Sequence, residues 1–296
     1  MRAPDGPDGN ADAPGEALVG PAEFGRGELS PRDAAEFRGL KRMIHKRAGL
    51  CCDGYKERVL RRRIAVRMRA KGVQTFGAYA ALLKQDPGEY QRLIDTVTIN
   101  VSKFFRNAST WVLLRDQVIP ELWESNHERI RIWSAGSAAG EEAYSVAILL
   151  LQHAETHGPG IERFDILATD IDLDVLEQAK RAEYGPFVFT EMADPTRDRW
   201  FEGPKRNQLR SEVKKYVRFD TLDLMSAEFP ADQHLILCRN VLIYFEREIQ
   251  HAMFKKFHAA TAAGGFLQLG KVETLFGAPT GLYETVSARE RLFRKV

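Results

Sequence analysis

The stretch Arg129-Ile130-Arg131-Ile132-Trp133-Ser134-Ala135-Gly136-Ser137-Ala138-Ala139-Gly140-Glu141-Glu142 changes character halfway along. Its first half is rich in β-branched and aromatic residues and reads as a strand over 129–136. Its second half is a run of small residues, followed by an apolar segment that reads as a helix over 141–154. The pattern then repeats, with a strand expected at 164–172 and a helix at 175–183. Strands alternating with helices predict a parallel α/β sheet. Further strands are expected at 216–221, 234–239 and 265–270, with a helix over 247–261 joining the last two. Segments 282–286 and 291–296 read as an antiparallel hairpin closing the sheet. Periodicity fades near 186–215, where an insertion with a small β element is expected.

Small residues in a strand-to-helix turn let a ligand approach the backbone. Asp170, ending the next strand, supplies a carboxylate suited to both hydroxyls of a ribose. Together they predict a nucleoside site. The dinucleotide fingerprint does not fit: Gly136 and Gly140 are spaced Gly-x-x-x-Gly, and Glu141 and Glu142 occupy the helix start where a pyrophosphate needs a positive field. Two carboxylates there suit a cation, and S-adenosylmethionine carries a sulfonium and an ammonium but no phosphate. The plain alternative is a tight turn whose glutamates complement the helix dipole; Asp170 on the adjacent strand favours the nucleoside.

Upstream the chain is organised differently. Residues 1–29 are expected to be a disordered acidic tail, since the first 30 residues hold six Asp or Glu, two Arg, four Pro and six Gly. Residues 30–99 read as a small all-helical domain that begins at Ser30-Pro31, a cap followed by proline at the first helical position. Between Arg38 and Lys71, thirteen Lys or Arg face only Asp53 and Glu57, which implies an acidic partner. Along the helix expected at 56–71, Leu60, Ile64 and Met68 form a buried stripe, while Arg58, Arg62 and Arg69 fall on the opposite face. Arg67 lies near the apolar stripe and is expected to snorkel or pair with an acid. Residues 100–115 are assigned as a linker and 116–296 as the second domain.

The 296 residues, 44% hydrophobic and 28% charged, exclude collagen-like, wholly disordered and disulfide-scaffold classes. A net charge of +2 argues against a protein built mainly to bind nucleic acid. No apolar run approaches the roughly 18 residues of a membrane span, and 1–10 has no apolar signal core, so the expected location is cytoplasmic. Cys51, Cys52 and Cys238 read as plain thiols. His153-x-Glu155-x-His157 lacks a third ligand, and no metal site is expected.

Five ordered segments resemble the chemotaxis receptor glutamate O-methyltransferases: Thr98-Ile99-Asn100-Val101-Ser102-Lys103-Phe104-Phe105-Arg106; Trp133-Ser134-Ala135-Gly136 through Glu141-Glu142-Ala143-Tyr144-Ser145; Ala168-Thr169-Asp170-Ile171-Asp172; Cys238-Arg239-Asn240-Val241-Leu242-Ile243-Tyr244-Phe245; and Gly264-Gly265-Phe266-Leu267-Gln268-Leu269-Gly270. The resemblance runs from about Phe37 to the C-terminus and implies a class I, Rossmann-like S-adenosylmethionine-dependent methyltransferase sheet with S-adenosylmethionine as cofactor. It implies that Asn100, Ser102 and Arg106 bind the cofactor's methionine end, and that Glu142 and Asp170 take its amino acid or ribose part. Asp223, Leu224, Arg239 and Asn240 would line the adenine side, with Tyr244 and Arg106 beside the transferring methyl and Gly136 in the turn. The implied partner is the cytoplasmic helical region of methyl-accepting chemotaxis receptors, docked on Arg58, Arg62 and Arg69, with no nucleic acid and no membrane insertion. The segment 199–217 lacks a glycine-rich loop, which implies recognition independent of a receptor tail peptide. The chain departs from the family pattern at Ala138, Ala139, Ala143, Asp223 and Lys271-Val272; loss of hydroxyls at 138–139 could weaken cofactor binding, and Lys271 adds a charge near the sheet's end.

A glutamate acceptor has a pKa of about 4.3 and arrives ionised, so transfer to it needs alignment rather than a general base. Two rivals stand beside this reading: a nucleic-acid methyltransferase, disfavoured because Asn240 is followed by Val241-Leu242-Ile243-Tyr244 instead of a Pro-Pro-aromatic run, and a non-catalytic cofactor-binding regulator.

Overall fold

The computed structural model describes residues 27–48, 50–98, 100–125, 127–277 and 281–296; the expectation for the acidic tail falls almost wholly outside them. Helix α1 (Pro31–Ala48) starts where the Ser30 hydroxyl accepts from the Asp33 amide at 3.1 Å and donates to its carboxylate at 2.7 Å. Helices α2 (Glu57–Ala70), α3 (Phe76–Gln85) and α4 (Pro87–Thr98) complete the first lobe. Leu60, Ile64 and Met68 are buried with Phe37, Leu40 and Leu93, while Arg58, Arg62 and Arg69 are exposed. Arg67 finds its acid: two guanidinium nitrogens donate to Glu89 at 3.0 and 2.6 Å, and the Tyr79 hydroxyl donates at 2.8 Å. Burial raises the Glu89 carboxyl, but Arg67 and Tyr79 outweigh it and hold the pKa below the usual value.

After Asn107 the chain is helical again: α5 (Ala108–Leu113), a π-helical turn (Leu114–Val118) and α6 (Ile119–Glu124) run end to end. The stretch assigned as a linker is thus helical from Ala108 onward. Trp111, Leu114, Val118 and Leu122 bury one face. Pro120 lacks an N–H and crowds the carbonyl four residues back, which accounts for the widened turn just before it and obscures the helical signal in the sequence.

The second lobe then alternates as its sequence predicts. Strand β1 (Ile130–Ala135) leads to α7 (Glu141–His157), and β2 (Phe164–Asp170) leads to α8 (Leu173–Arg181). Within 186–215, α9 (Asp194–Trp200), the two-residue strands β3 (Phe201–Glu202) and β4 (Gln208–Leu209), and α10 (Ser211–Lys214) form a small unit. The chain returns through β5 (Val217–Thr221), β6 (Gln233–Cys238), α11 (Arg247–Ala260), β7 (Thr261–Leu269), β8 (Tyr283–Ser287) and β9 (Leu292–Lys295). Strand β7 begins four residues before the expected Gly265, with a register shift against β6 between Gln233 and Leu235 and Gly264 at φ +71°.

The main sheet has the order β5-β2-β1-β6-β7-β9-β8. Its first five strands are parallel, and β9 and β8 add the antiparallel hairpin. This is a Rossmann-like methyltransferase sheet. The direction of winding reverses between β1 and β6, and open sheets of this kind bind ligands beyond the carboxyl ends of the strands at that reversal. Among the described residues no helix is long and apolar enough to cross a membrane.

The lobes meet at the same end of the sheet. Tyr55 pairs as an isolated antiparallel bridge with Phe245, their rings 4.9 Å apart. The Lys56 amide donates to the Tyr244 carbonyl at 2.8 Å, its ammonium donates to the Ile243 carbonyl at 2.8 Å, and the Glu246 amide donates to the Gly54 carbonyl at 2.9 Å.

Candidate active site

The turn after β1 is built on glycine. Gly136 lies at φ +75°, and a Cβ there would come within 2.5 Å of Val241. The amides of Gly136 and Ser137 donate to the Thr169 carbonyl at 2.8 and 2.9 Å, tying the turn to β2. Ala138, at φ +49°, donates its amide to Asp170 at 2.9 Å, and Asp172 donates to the other carboxylate oxygen at 3.1 Å. Burial raises the Asp170 carboxyl, with these two amides opposing it.

A cleft opens over this turn. It is lined by every residue singled out for the cofactor: Asn100, Ser102, Arg106, Gly136, Glu142, Asp170, Asp223, Leu224, Arg239 and Asn240, together with Tyr244. Sequence reasoning missed Tyr55 and Phe245, which also line it and come from the seam between the lobes, and Val241, which packs over Gly136. Arg58, Arg62 and Arg69 lie outside the cleft, on the exposed face of α2.

Glu142 is the buried pole of the cleft. The Ser134 hydroxyl donates to it at 2.8 Å and Arg239 at 3.3 Å. Burial raises its pKa and Arg239 opposes that. The same guanidinium donates to the Arg106 carbonyl at 2.6 Å and the Asn107 side-chain oxygen at 3.3 Å, so Arg239 is committed to bracing the loop that carries Arg106. That loop is held in an unusual shape, with Phe105 and Asn107 both at positive φ. Phe104 anchors it, wholly buried against Tyr184, Phe189 and Phe201. Asn100 donates to Asp172 at 2.7 Å.

Tyr244 closes the wall nearest the first lobe. The guanidinium of Arg63, on the edge of α2 that faces the second lobe, lies 5.7 Å from its ring, and Arg63 also donates to the Thr96 carbonyl at 2.7 Å. Burial raises the Tyr244 hydroxyl's pKa, while the positive charges of Arg63 and Arg106 pull it down. Arg63 stands beside Tyr244 without lining the cleft itself, a neighbour that sequence reasoning missed: it is one of three consecutive arginines, and only the packing of the lobes separates it from the other two.

Lys271 does not enter the cleft. Its ammonium donates to the Ser109 hydroxyl at 2.7 Å and pairs with Glu290 at 3.3 Å. Three polar atoms are buried in the cleft wall without a hydrogen-bond partner: the Ser137 hydroxyl, the Asn240 side-chain oxygen and Nε of Arg239. Such atoms call for a polar ligand. Such atoms, with the Asp170 carboxylate and the Glu142 pole in the same cleft, suit a nucleoside with an amino acid arm, so the residues fit S-adenosylmethionine.

Comparison with known proteins agrees. Residues 100–291 match the family model described as CheR methyltransferase, SAM binding domain, and residues 35–98 match CheR methyltransferase, all-alpha domain. The chain is 37% identical to a chemotaxis protein methyltransferase of Listeria innocua over 81% of this chain and 90% of that protein. It is 33% identical to one of Escherichia coli over 81% and 84%, and 30% identical to a probable one of Rhizobium etli over 82% and 94%. With both lobes matched in order and the S-adenosylmethionine cleft assembled where they meet, the chain belongs to the CheR methyltransferase family.

Proposed function

We propose that this protein is a cytoplasmic enzyme that methylates glutamate side chains on the helical cytoplasmic region of chemotaxis receptors, giving glutamate methyl esters. The observation that carries the reading is Tyr244, set in the cleft wall under the influence of two guanidiniums, Arg63 from the first lobe and Arg106 from the second. A carboxylate entering there meets the positive charge of both, which a neutral amine would not exploit.

When bound, S-adenosylmethionine supplies a methyl group on a positively charged sulfur. Asp170 is placed to take the ribose hydroxyls, Asp223, Leu224 and Asn240 to line the adenine side, and Glu142, Asn100 and Ser102 to hold the amino acid end. Arg239 keeps Glu142 and the Arg106 loop in register. Arg106 orients the acceptor carboxylate, and Tyr244 shapes the space around the reacting groups. No residue has to remove a proton, because the acceptor is already ionised at neutral pH. Holding two reacting groups in line is worth roughly 7 kcal/mol or more, and the rigid turns at 105–107 and 136–140 serve that end.

Arg63→Gln separates the roles. It is expected to raise KM for a receptor fragment about tenfold while leaving affinity for S-adenosylhomocysteine unchanged. Equal loss of both would place Arg63 in the cofactor site and remove the support for an acidic acceptor.

A further inference from the structure

Glu273 follows β7, lies 4% exposed and does not line the cleft, yet it has an unusual set of partners. One carboxylate oxygen accepts from the amides of Val241 at 2.9 Å, Leu242 at 2.7 Å and Ile243 at 3.3 Å. The other accepts from the amides of Asn240 at 2.9 Å and Gly270 at 2.6 Å. Four consecutive backbone N–H groups converge on one anion, a backbone nest of the kind that binds free phosphates and carboxylates, here filled by the protein's own side chain. All five partners are N–H donors, so the carboxyl acts only as an acceptor here; burial raises its pKa and the amides of Asn240, Gly270, Leu242 and Ile243 oppose that.

The nest has a conformational requirement. Asn240 sits at φ +61°, in the left-handed region that asparagine tolerates better than other side-chain-bearing residues. Gly270 permits the approach: a Cβ there would stand 2.7 Å from the Glu273 oxygen and 2.8 Å from the Asn240 nitrogen. The gripped segment carries Asn240, whose side-chain oxygen is buried in the cleft wall without a partner, and Val241, which packs over Gly136. It runs on through the single 3-10 turn Leu242–Tyr244 to the aromatic residue at the methyl site.

We infer that Glu273 is a positioning residue: its carboxylate folds residues 240–243 around itself and thereby sets both the adenine-side contact of Asn240 and the placement of Tyr244. This rests on the roles proposed above for Asn240 and Tyr244. A removable buried anion in the core would cost stability alone; an anion that shapes this loop acts on cofactor affinity through Asn240 and on turnover through Tyr244.

The test is calorimetric titration of the full chain with S-adenosylhomocysteine, well below each variant's melting temperature, for wild type, Glu273→Gln, Asn240→Ala and the double variant. Glutamine keeps one acceptor oxygen but turns an amine toward N–H donors. The expected result is affinity about tenfold weaker or worse in E273Q, and a further change within about twofold when the same substitution is made beside N240A. Gly270→Ala, which crowds the nest and keeps the charge, is expected to weaken binding in the same selective way and serves if E273Q does not fold. Wild-type affinity in both E273Q and G270A, or the same loss from E273Q with and without Asn240, would overturn the positioning role. A wild-type chain that binds no S-adenosylhomocysteine would instead overturn the cofactor site on which the role rests.

Discussion

Glu141 and Glu142 are adjacent in sequence and unequal in surroundings. Glu142 faces the cleft and has Arg239 as counter-ion, whereas Glu141 is buried, keeps one oxygen without a partner, and is pushed up to about 7 by desolvation. A carboxyl with a folded-state pKa above its unfolded value of about 4.5 favours the folded state at low pH. That stability is fully present below about pH 4.5 and is lost as pH rises through about 7. Glu141→Gln is expected to remove this dependence, so the melting temperature of wild type relative to E141Q should fall between those pH values. A constant difference would mean Glu141 is ionised throughout. Gly136→Ala, forcing a methyl toward Val241 at positive φ, is expected to destabilise by about 2 kcal/mol and to weaken cofactor binding, read by denaturant unfolding and titration. The residues around the β1 turn were legible because a strand-to-helix turn brings near sequence neighbours to one ligand. The roles of Arg63 and Glu273 were not, since each reaches its partner across the fold: Arg63 lies in an arginine run, and Glu273 closes a family-like segment with no sign of what its carboxylate grips.

Helix α2 has three distinct faces in one segment: Leu60, Ile64 and Met68 toward the core, Arg58, Arg62 and Arg69 toward solvent, and Arg63 toward Tyr244. Periodicity revealed the first two; the third depends on where the second lobe docks. If the solvent face receives an acidic helical partner, replacing Arg58, Arg62 and Arg69 with alanine lowers kcat/KM for receptor methylation about tenfold or more and flattens its salt dependence, with cofactor affinity intact. Equal loss of both would make these residues structural. The Arg67–Glu89 pair behaves differently because Glu89 is wholly buried. Arg67→Ala is expected to cost about 2 kcal/mol by removing the two-pronged partner of that charge, with Lys71 at 3.5 Å and the Tyr79 hydroxyl at 2.8 Å keeping part of the compensation, measured by urea unfolding. The helix over 108–124 went unread because Pro120 breaks its pattern; Trp111, Leu114 and Val118 carry the spacing once the π turn is allowed for.

At the scale of the molecule, the two lobes meet across residues 54–57 and 243–246, which brings Tyr55 into the wall of a cleft otherwise built mainly by the second lobe. The parallel sheet and its closing hairpin followed from alternation along the chain, and the sheet's reversal between β1 and β6 fixed where a ligand would lie. What periodicity could not supply was the docking of the helical lobe, which rests on backbone bonds such as Lys56 to Tyr244 and on the Tyr55–Phe245 contact. That docking brings the positive charge of Arg63 beside Tyr244, in the wall of a cleft whose buried pole is a carboxylate. The most direct measurement is a single turnover with methyl-labelled S-adenosylmethionine and a receptor cytoplasmic fragment, followed by mild alkali. A glutamate methyl ester releases the label as volatile methanol, and replacing the acceptor glutamates with alanine abolishes transfer; label that stays on the protein through alkali would contradict an acid side chain as the acceptor.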